Sequence, residues 1–524
     1  SETLSLPHLS PSLAMASNLK IVGPYAQHSQ EAITSSYVSQ TCSMTESNGV
    51  FIPNLKETKY TFKTKLQTPK LGAMFVGLGG NNGSTFTAGI LANKHNITWN
   101  SKAGTHKPNY LGSITQASTT KVGNNKNSEV FMTLNQILPL VNPNEIVVGG
   151  WDISKVNMAD AMRRAQVLEY DLQVQLAPYM KDIVPLPAVY YEDFIAANQK
   201  ERADNVIPGN DKKKHLEVVR EHLRNFKEEN KLDKVIVMWS GNTERFCKVS
   251  VGVHDTADNL LKAIENSHPE ISPSIIYATA CALEGVSFIN GSPQNTLVDG
   301  VIELAVKNNT FVVGDDFKTG QTKLKTALVD VIAGAGLKPI SIVSYNHLGN
   351  NDGKNLSSES QFKSKETTKK SCTDDIIASN HNLYPDGGHP DHEIIIKYVP
   401  SAGDSKKAID EYVSEIFLGG KQTWSIYNVC EDSLLATPII LDLILLTELL
   451  ERIEWRADNE TDFHRFDNVL SVLGYLCKAP RTRDEAPIIN SLFRQKNSIE
   501  NLFKVCAGIP LEDNLLMEFR APQK

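Results

Sequence analysis

Ala73-Met74-Phe75-Val76-Gly77-Leu78-Gly79-Gly80-Asn81-Asn82-Gly83-Ser84-Thr85 is the stretch on which the reading of this chain turns. A short apolar run ends in four glycines, and a helix-compatible stretch, 84–95, follows at once. Strand, tight turn and helix start in that order make the architecture that holds a dinucleotide pyrophosphate. Glycines let the backbone approach the phosphates, and the first-turn N–H groups face the anion. Gly77, Gly79 and Gly83 read G-x-G-x-x-x-G, one residue longer than the usual fingerprint. Asn81 and Asn82 sit in the turn and can add side-chain donors. The pattern alone fits a nucleotide site and a purely structural glycine turn equally well.

Working outward, short β-branched runs recur at 73–77, 145–149, 234–239, 274–277, 310–314, 339–344 and 393–398. Helical patterns lie between many of them, at 84–95, 156–180, 215–230, 256–266, 296–308 and 321–335. This alternation predicts βαβ units, a mostly parallel sheet and an α/β fold. Such sheets bind ligands at the carboxyl ends of their strands. Four of these ends are polar: Trp151-Asp152, Ser240-Gly241-Asn242-Thr243, Gly314-Asp315-Asp316 and Tyr345-Asn346-His347. They are expected to line one crevice. The acid that holds the cofactor ribose normally lies about 20 residues past the glycines. No acid occurs between Ser84 and Ser128. An insertion at about 100–144 would postpone it to Asp152, although Asp152 could instead cap the helix that follows.

A chain of 524 residues is too long for one ordinary core. The expected division is an N-terminal arm, 1–70, with one strand at 59–65; a discontinuous cofactor domain, 71–322 plus 437–524; and an inserted α+β domain, 323–436. Within the last, 345–364 is rich in Asn, Gly and Ser and reads as a long functional loop. The apolar stretch 434–450 has nearly the length of a membrane span. Asp442 and Glu448 interrupt it, and Asp432 and Glu451 flank it, so a core or subunit-interface helix is expected.

A net charge of −7 argues against a nucleic-acid surface, and Lys212-Lys213-Lys214 reads as a solvated loop. Seven scattered cysteines with no C-x-x-C pair argue against a disulfide framework or a zinc site, and no secretory h-region opens the chain. A cytoplasmic protein with no membrane or nucleic-acid partner and no metal site built from its own ligands is expected.

Three clusters could carry chemistry. Gly314 to Lys323 gathers acids, lysines and hydroxyls at a strand end, suited to a cation or a phosphate, or simply to starting a helix. Tyr345 to Ser357 offers more hydrogen-bonding side chains than a turn requires, enough to read a polyhydroxylated substrate. Lys365 and Lys369, four apart, share a face if helical; Asp404-Ser405-Lys406 and Lys478-Ala479-Pro480 supply two more lysines. A desolvated lysine among cations gives up its proton more readily; protonated, it stabilises an oxyanion or a phosphate. H-E-x-x-H, G-x-S-x-G, the P-loop and the kinase signatures are absent.

Five motifs together carry a resemblance: Gly77-Leu78-Gly79-Gly80-Asn81-Asn82-Gly83-Ser84, Asn290-Gly291-Ser292-Pro293-Gln294-Asn295, Gly314 to Lys325, Ser344 to Ser357, and Asn428-Val429-Cys430-Glu431-Asp432-Ser433. In this order they closely resemble the myo-inositol-1-phosphate synthase family in its fungal form, from about residue 55 to the C-terminus. The resemblance implies a Rossmann domain with a catalytic and tetramerisation domain, and a homotetramer. It implies conversion of D-glucose 6-phosphate to 1D-myo-inositol 3-phosphate. The steps would be oxidation at C5, loss of a C6 proton, aldol attack on C1 and re-reduction, with NAD regenerated in each turnover. An assisting monovalent or divalent cation near the nicotinamide or pyrophosphate is left open. The implied cofactor residues are Gly79, Gly80, Asn81 and Asn82 at the pyrophosphate, Asp152 at the ribose, Ser240, Gly241, Asn242 and Thr243 along the next strand end, and Asp316, Asp432 and Ser433 about the nicotinamide.

Carried over in the same way, the substrate set is Thr319, Asn350, Asn351, Asp352, Lys365, Lys369, Lys406 and Lys478, and Asp316 and Asp432 stand with the lysines in the catalytic set. Lys365 is expected to move a proton at the C5 oxygen. Lys406 and Lys478 would serve the cyclisation, and Lys369 with Thr319 and the asparagines would hold phosphate. Thr319 departs from the usual serine but keeps the hydroxyl. Ordering of 345–369 over the substrate would enclose the reaction. An ordinary NAD-dependent sugar-phosphate dehydrogenase is the alternative.

Overall fold

The computed structural model describes residues 19, 21, 23–125, 128–483 and 486–521. Its central feature is a six-stranded parallel sheet. Across it run Leu186–Pro187, Val147–Asp152, Leu71–Val76, Lys234–Trp239, Ser287–Asn290 and Val312–Val313. Numbered along the chain, that order is 3-2-1-4-5-6, the doubly wound arrangement that binds dinucleotides where the order reverses. The reversal falls between Leu71–Val76 and Lys234–Trp239, so Gly77 and Ser240 emerge side by side. Both strands are buried on both faces, which is why they read as unbroken apolar runs. Between the first two strands stand the hairpins Trp99–Ser101 with Gly104–His106 and Thr119–Asn125 with Ser128–Thr133. This is the insertion that carries the second strand, and Asp152 at its end, so far from the glycines.

Several expectations are corrected. Residues 274–277 are not a strand but lie in the helix Pro273–Leu283. Ser272 caps it through Ile275 N–H, Pro273 opens it, and the alanines beyond favour it; the local Ile-Ile-Tyr misleads. The neighbouring strand is Ser287–Asn290 instead. The single helix at 156–180 is two, Met158–Ala165 and Tyr170–Met180, parted where Gln166 turns left-handed, φ 53°. Lys212 is not in a solvated loop: it begins the helix Lys212–Glu229 and is buried, donating to the carbonyls of His268 and Ile271, both at 2.6 Å.

The second sheet orders Asp391–Tyr398, Lys338–Leu348, Ser405–Glu415 and Lys421–Glu431, the first pair parallel and the others antiparallel. Its inner face is buried along Ile342, Ser344, Asn346 and Leu348 and along Lys406, Ala408, Asp410 and Tyr412. Polar residues at period 2 on a buried face disguise these strands in the sequence. The segment 345–364 is not a loop. The strand runs on to Leu348, and the helices Asn351–Asn355 and Glu359–Ser371 follow.

The helix Asp432–Glu451 leads from the second sheet into the apolar core of the first, where Ile439 to Leu450 pack with Phe75, Phe86 and Met238. It is the one helix, among the described residues, long and apolar enough to cross a membrane, and 83% of its most apolar window is buried. Of the segment 1–70, residues 1–18, 20 and 22 lie outside the described residues. The remainder holds not one short strand but the hairpin Ala32–Ser47 with Val50–Lys65, joined to Ile453–Ala457.

Candidate active site

Gly77 has φ +90°, and a Cβ there would strike the backbone of Gly241 across the switch point. Gly77 and Leu78 donate their N–H groups to the Trp151 carbonyl at 2.8 and 2.9 Å, which ties the loop to the neighbouring strand end. Gly80 then starts the helix Asn81–Lys94 with no side-chain cap, leaving its first N–H groups without that partner. The Arg164 guanidinium donates to the Gly79 carbonyl from the side.

Asp152 ends the adjacent strand, 3% exposed. Its carboxylate accepts from Ser154 N–H at 2.9 Å and has Arg202 3.6 Å away. Burial raises its pKa, opposed by Arg202. It does not cap the following helix, because Asn157 does. A side chain at Gly79 would come within 3.2 Å of the Asp152 carboxylate, so loop and acid are in contact. The Asn242 Nδ2, buried close by, has no hydrogen-bond partner. A glycine cradle at a helix start, an acid beside it and an orphan amide donor make a set that fits NAD.

Four lysines and two aspartates stand across the crevice. Asp316 takes Lys365 Nζ on Oδ1 at 2.9 Å, with Lys478 Nζ and Thr368 Oγ1 on Oδ2, both at 3.2 Å. Burial would raise the Asp316 carboxyl, but Lys365 and Lys478 hold it below the usual carboxylate range. For Lys365, the lowering by burial is outweighed by Asp316, which carries it above the ordinary lysine value. Burial pulls Lys478 the other way, only partly opposed by Asp316, to about 7. Lys406 Nζ lies 3.6 Å from Asp432, whose carboxyl Lys406 and Lys478 keep low against its burial. Lys369 is lowered by burial and by the cations around it. One cluster thus offers a firmly charged lysine beside one that loses its proton near neutrality.

Side chains from several elements frame the cluster. Lys365 and Lys369 project from the helix Glu359–Ser371, and Lys406 from the inner face of the second sheet. Lys478 N–H donates to the Asp316 carbonyl at 2.8 Å. Asn351 donates to Asn242 at 3.2 Å and to Gln199 at 2.9 Å; Asp352 accepts from Thr243 N–H at 3.1 Å. The Asn350 side chain caps the helix Asn351–Asn355 through Gly353 N–H. Thr319 is the N-cap residue of Gly320–Gly334 but makes no side-chain cap bond, which leaves its hydroxyl free to take a ligand at that helix start.

One cavity of about 1340 Å³, open mouth included, gathers all of this. Gly80, Asn81, Asn82, Asp152 and the strand end Ser240 to Thr243 line it, as do Asp316, Asp432 and Ser433. So do Thr319, Asn350, Asn351, Asp352, Lys365, Lys369, Lys406 and Lys478. Of the residues carried over by resemblance, Gly79 alone stands behind the wall, against Asp152; of the four polar strand ends, Tyr345-Asn346-His347 does not line the cavity, because it lies within the strand Lys338–Leu348, and Asp315 stays behind Asp316. Reading the sequence missed Thr368, and it placed Gln321, Asn346 and Asp404 in candidate clusters without giving them a role. Asp404 accepts from Ser433 N–H and Oγ at 2.9 and 2.7 Å and from Asn81 Nδ2 at 3.2 Å. Nothing local in the sequence marks Thr368.

Fold and site together define a dinucleotide-dependent α/β enzyme with a lysine-rich pocket for an anionic substrate. The profile described as myo-inositol-1-phosphate synthase, an NAD-binding family, matches residues 71–504. Inositol-3-phosphate synthase of Dictyostelium discoideum is 52% identical over 510 residues, 97% of this chain and 100% of that protein. Isozyme 1 of Arabidopsis thaliana is 52% identical, with 96% of this chain and 99% of that protein covered. The crystal structure of the Caenorhabditis elegans inositol-3-phosphate synthase superposes with a TM-score of 0.94 at 47% identity, covering 97% and 99% of the two chains. The chain belongs to the myo-inositol-1-phosphate synthase family, and it is an NAD-using isomerase of the inositol 3-phosphate-forming type.

Proposed function

We propose that this chain converts D-glucose 6-phosphate to 1D-myo-inositol 3-phosphate by the four-step route given above, with the lined cavity as its site. The observation that carries the reading is the lysine cluster around Asp316 facing the glycine loop across one crevice. Bound NAD supplies a hydride acceptor for C5 and returns the hydride at the end. Gly80, Asn81 and Asn82 hold its pyrophosphate, and Asp152, backed by Gly79, its ribose. Ser240 to Thr243, Asp316, Asp432 and Ser433 close around the rest.

Lys365, kept charged by Asp316, serves the C5 oxygen as that centre changes oxidation state. Lys478, lowered by burial to about 7, exchanges its proton near neutral pH, as suits removal and return of the acidified C6 proton. Lys406 stabilises the oxyanion that forms when C6 attacks C1. Thr319, Lys369 and the asparagines at 350 and 351 hold the phosphate.

Incubation with glucose 6-phosphate and substoichiometric NAD tests the reading. A periodate-sensitive inositol phosphate in excess of the NAD added, without NADH accumulating, is expected. NADH accumulating in step with product would make the chain an ordinary dehydrogenase.

The division into an arm, 1–70, a cofactor domain, 71–322 with 437–524, and a catalytic domain, 323–436, belongs to this proposal, as does a homotetramer. The outer face of the second sheet exposes Tyr345, Ile409, Tyr427 and Val429, and its edge strand Lys421–Glu431 pairs on one side, which supports a face used between subunits. Sedimentation equilibrium tests it. The cysteines among the described residues are all unpaired, which supports the cytoplasm.

A further inference from the structure

Lys369 is held unlike its neighbours. Lys365 and Lys478 share a carboxylate and Lys406 faces another, but Lys369 Nζ meets two neutral amides: Asn346 Oδ1 at 2.9 Å and Gln321 Oε1 at 3.3 Å. A primary amide has two faces. Its oxygen welcomes an ammonium, whereas its NH₂ turned the same way opposes donor to donor. Both amides are buried, so water cannot relieve a wrong turn. Something must select the orientation of each.

For Asn346 the selection comes from the backbone, because Nδ2 donates to the carbonyls of Ser344 at 3.3 Å and Ile395 at 3.2 Å. For Gln321 it comes from Asp410. The Gln321 Nε2 donates to Asp410 Oδ1 at 2.8 Å, and a carboxylate can only accept. Asp410 is 1% exposed, on the inner face of the second sheet. Lys369 lines the cavity; Gln321 and Asp410 stand behind it. Asp410, Gln321 and Lys369 therefore form a chain in which each hydrogen bond fixes the sense of the next, and the carboxylate sits one amide away from the cation it orients.

We propose that Asp410 is a positioning residue for the sugar-phosphate site: it turns the Gln321 amide so that its oxygen receives Lys369, and thereby holds that ammonium at the phosphate. This rests on the reading of Lys369 as a phosphate-holding residue. Asp410→Asn removes the obligate acceptor with almost no change of shape, and the Gln321 amide is then free to invert.

The test measures KM for glucose 6-phosphate, the inhibition constant of inorganic phosphate, kcat and NAD affinity in D410N, K369Q and the double variant. D410N is expected to raise KM and the phosphate inhibition constant about five- to tenfold, with kcat and NAD affinity within about twofold. In the K369Q background D410N adds nothing, because it acts through Lys369. An unchanged KM in D410N, a fall in kcat and NAD affinity alike, or a further loss on top of K369Q overturns the proposal. If K369Q itself leaves phosphate inhibition unchanged, the phosphate reading of Lys369 fails instead. Should D410N not fold, Gln321→Leu breaks the chain from its other end; the same rise in KM is expected, and no rise overturns the inference.

Discussion

Asn81 Nδ2 lies 3.2 Å from Asp404 Oδ1, a hydrogen bond between the end of the glycine loop and the segment that leads into the Lys406 strand. The same carboxylate takes Ser433 N–H and Oγ at the start of the Asp432–Glu451 helix. Asp404 therefore ties three walls of the site together. Asp404→Ala leaves these buried donors unpaired and should cost about 1–3 kcal/mol of stability, with weaker NAD binding. Chemical denaturation and NAD titration check both; a variant as stable as the parent and with its NAD affinity would disprove the tie.

The opposite states of Lys365 and Lys478 make a kinetic prediction. With Lys478 acting neutral, kcat should rise with pH along a limb centred near 7. The limb should be missing from the residual activity of Lys478→Met. If it survives there, the titration belongs to a buried acid instead, Asp315 or Glu244, each of which burial pushes up to about 7. The lowered lysine carries a stability consequence as well. Between about 7 and its unfolded value near 10.4, the unfolded chain binds the extra proton, so this residue's contribution to stability rises with pH across that window.

Lys365→Met should lower kcat by about two to four orders of magnitude, the range of a lost acid–base group. Asp316 would keep Lys478 as a partner, so folding and NAD affinity should change little. Pre-steady-state absorbance at the reduced nicotinamide band locates the block. An oxidation burst of parental rate would remove Lys365 from the first step.

Thr319→Ala should raise KM for glucose 6-phosphate roughly tenfold with NAD affinity intact, and Thr319→Ser should restore it, because the hydroxyl is what the helix start presents. Failure of serine to rescue would shift the role of Thr319 to its methyl group and the backbone.

Gly77→Ala places a side chain at φ +90° and against the Gly241 backbone. A loss of at least ~2 kcal/mol and of NAD binding is expected. Thermal unfolding with and without NAD measures it; a variant as stable as the parent would mean the switch point can open.

Where the apolar pattern followed the period of the structure, the fold was readable from residues alone. Leu71–Val76 and Lys234–Trp239 are buried on both faces and bounded by glycine or serine, so they stood out. Pro273–Leu283 did not, because Ile-Ile-Tyr favours a strand locally and only the Ser272-Pro273 start reveals a helix. Lys338–Leu348 and Ser405–Glu415 were legible only in part or not at all. Their inward positions carry Ser344, Asn346, Lys406 and Asp410, and a polar buried face inverts the usual alternation. Chemistry occupied the positions from which strands are normally recognised. The same inversion hid Asp410 while leaving the lysines conspicuous.

The Asp432–Glu451 helix has one end among the lysines of the cavity and the rest threaded through the apolar core beneath the parallel sheet. The second sheet is thus not a cassette. Excising it at its natural boundaries would pull a spine from the cofactor-binding half, and transplanting it would leave its own acid without a support. Shuffling between relatives should succeed only where the crossover lies beyond that helix, so the two halves are constrained to be inherited as one piece.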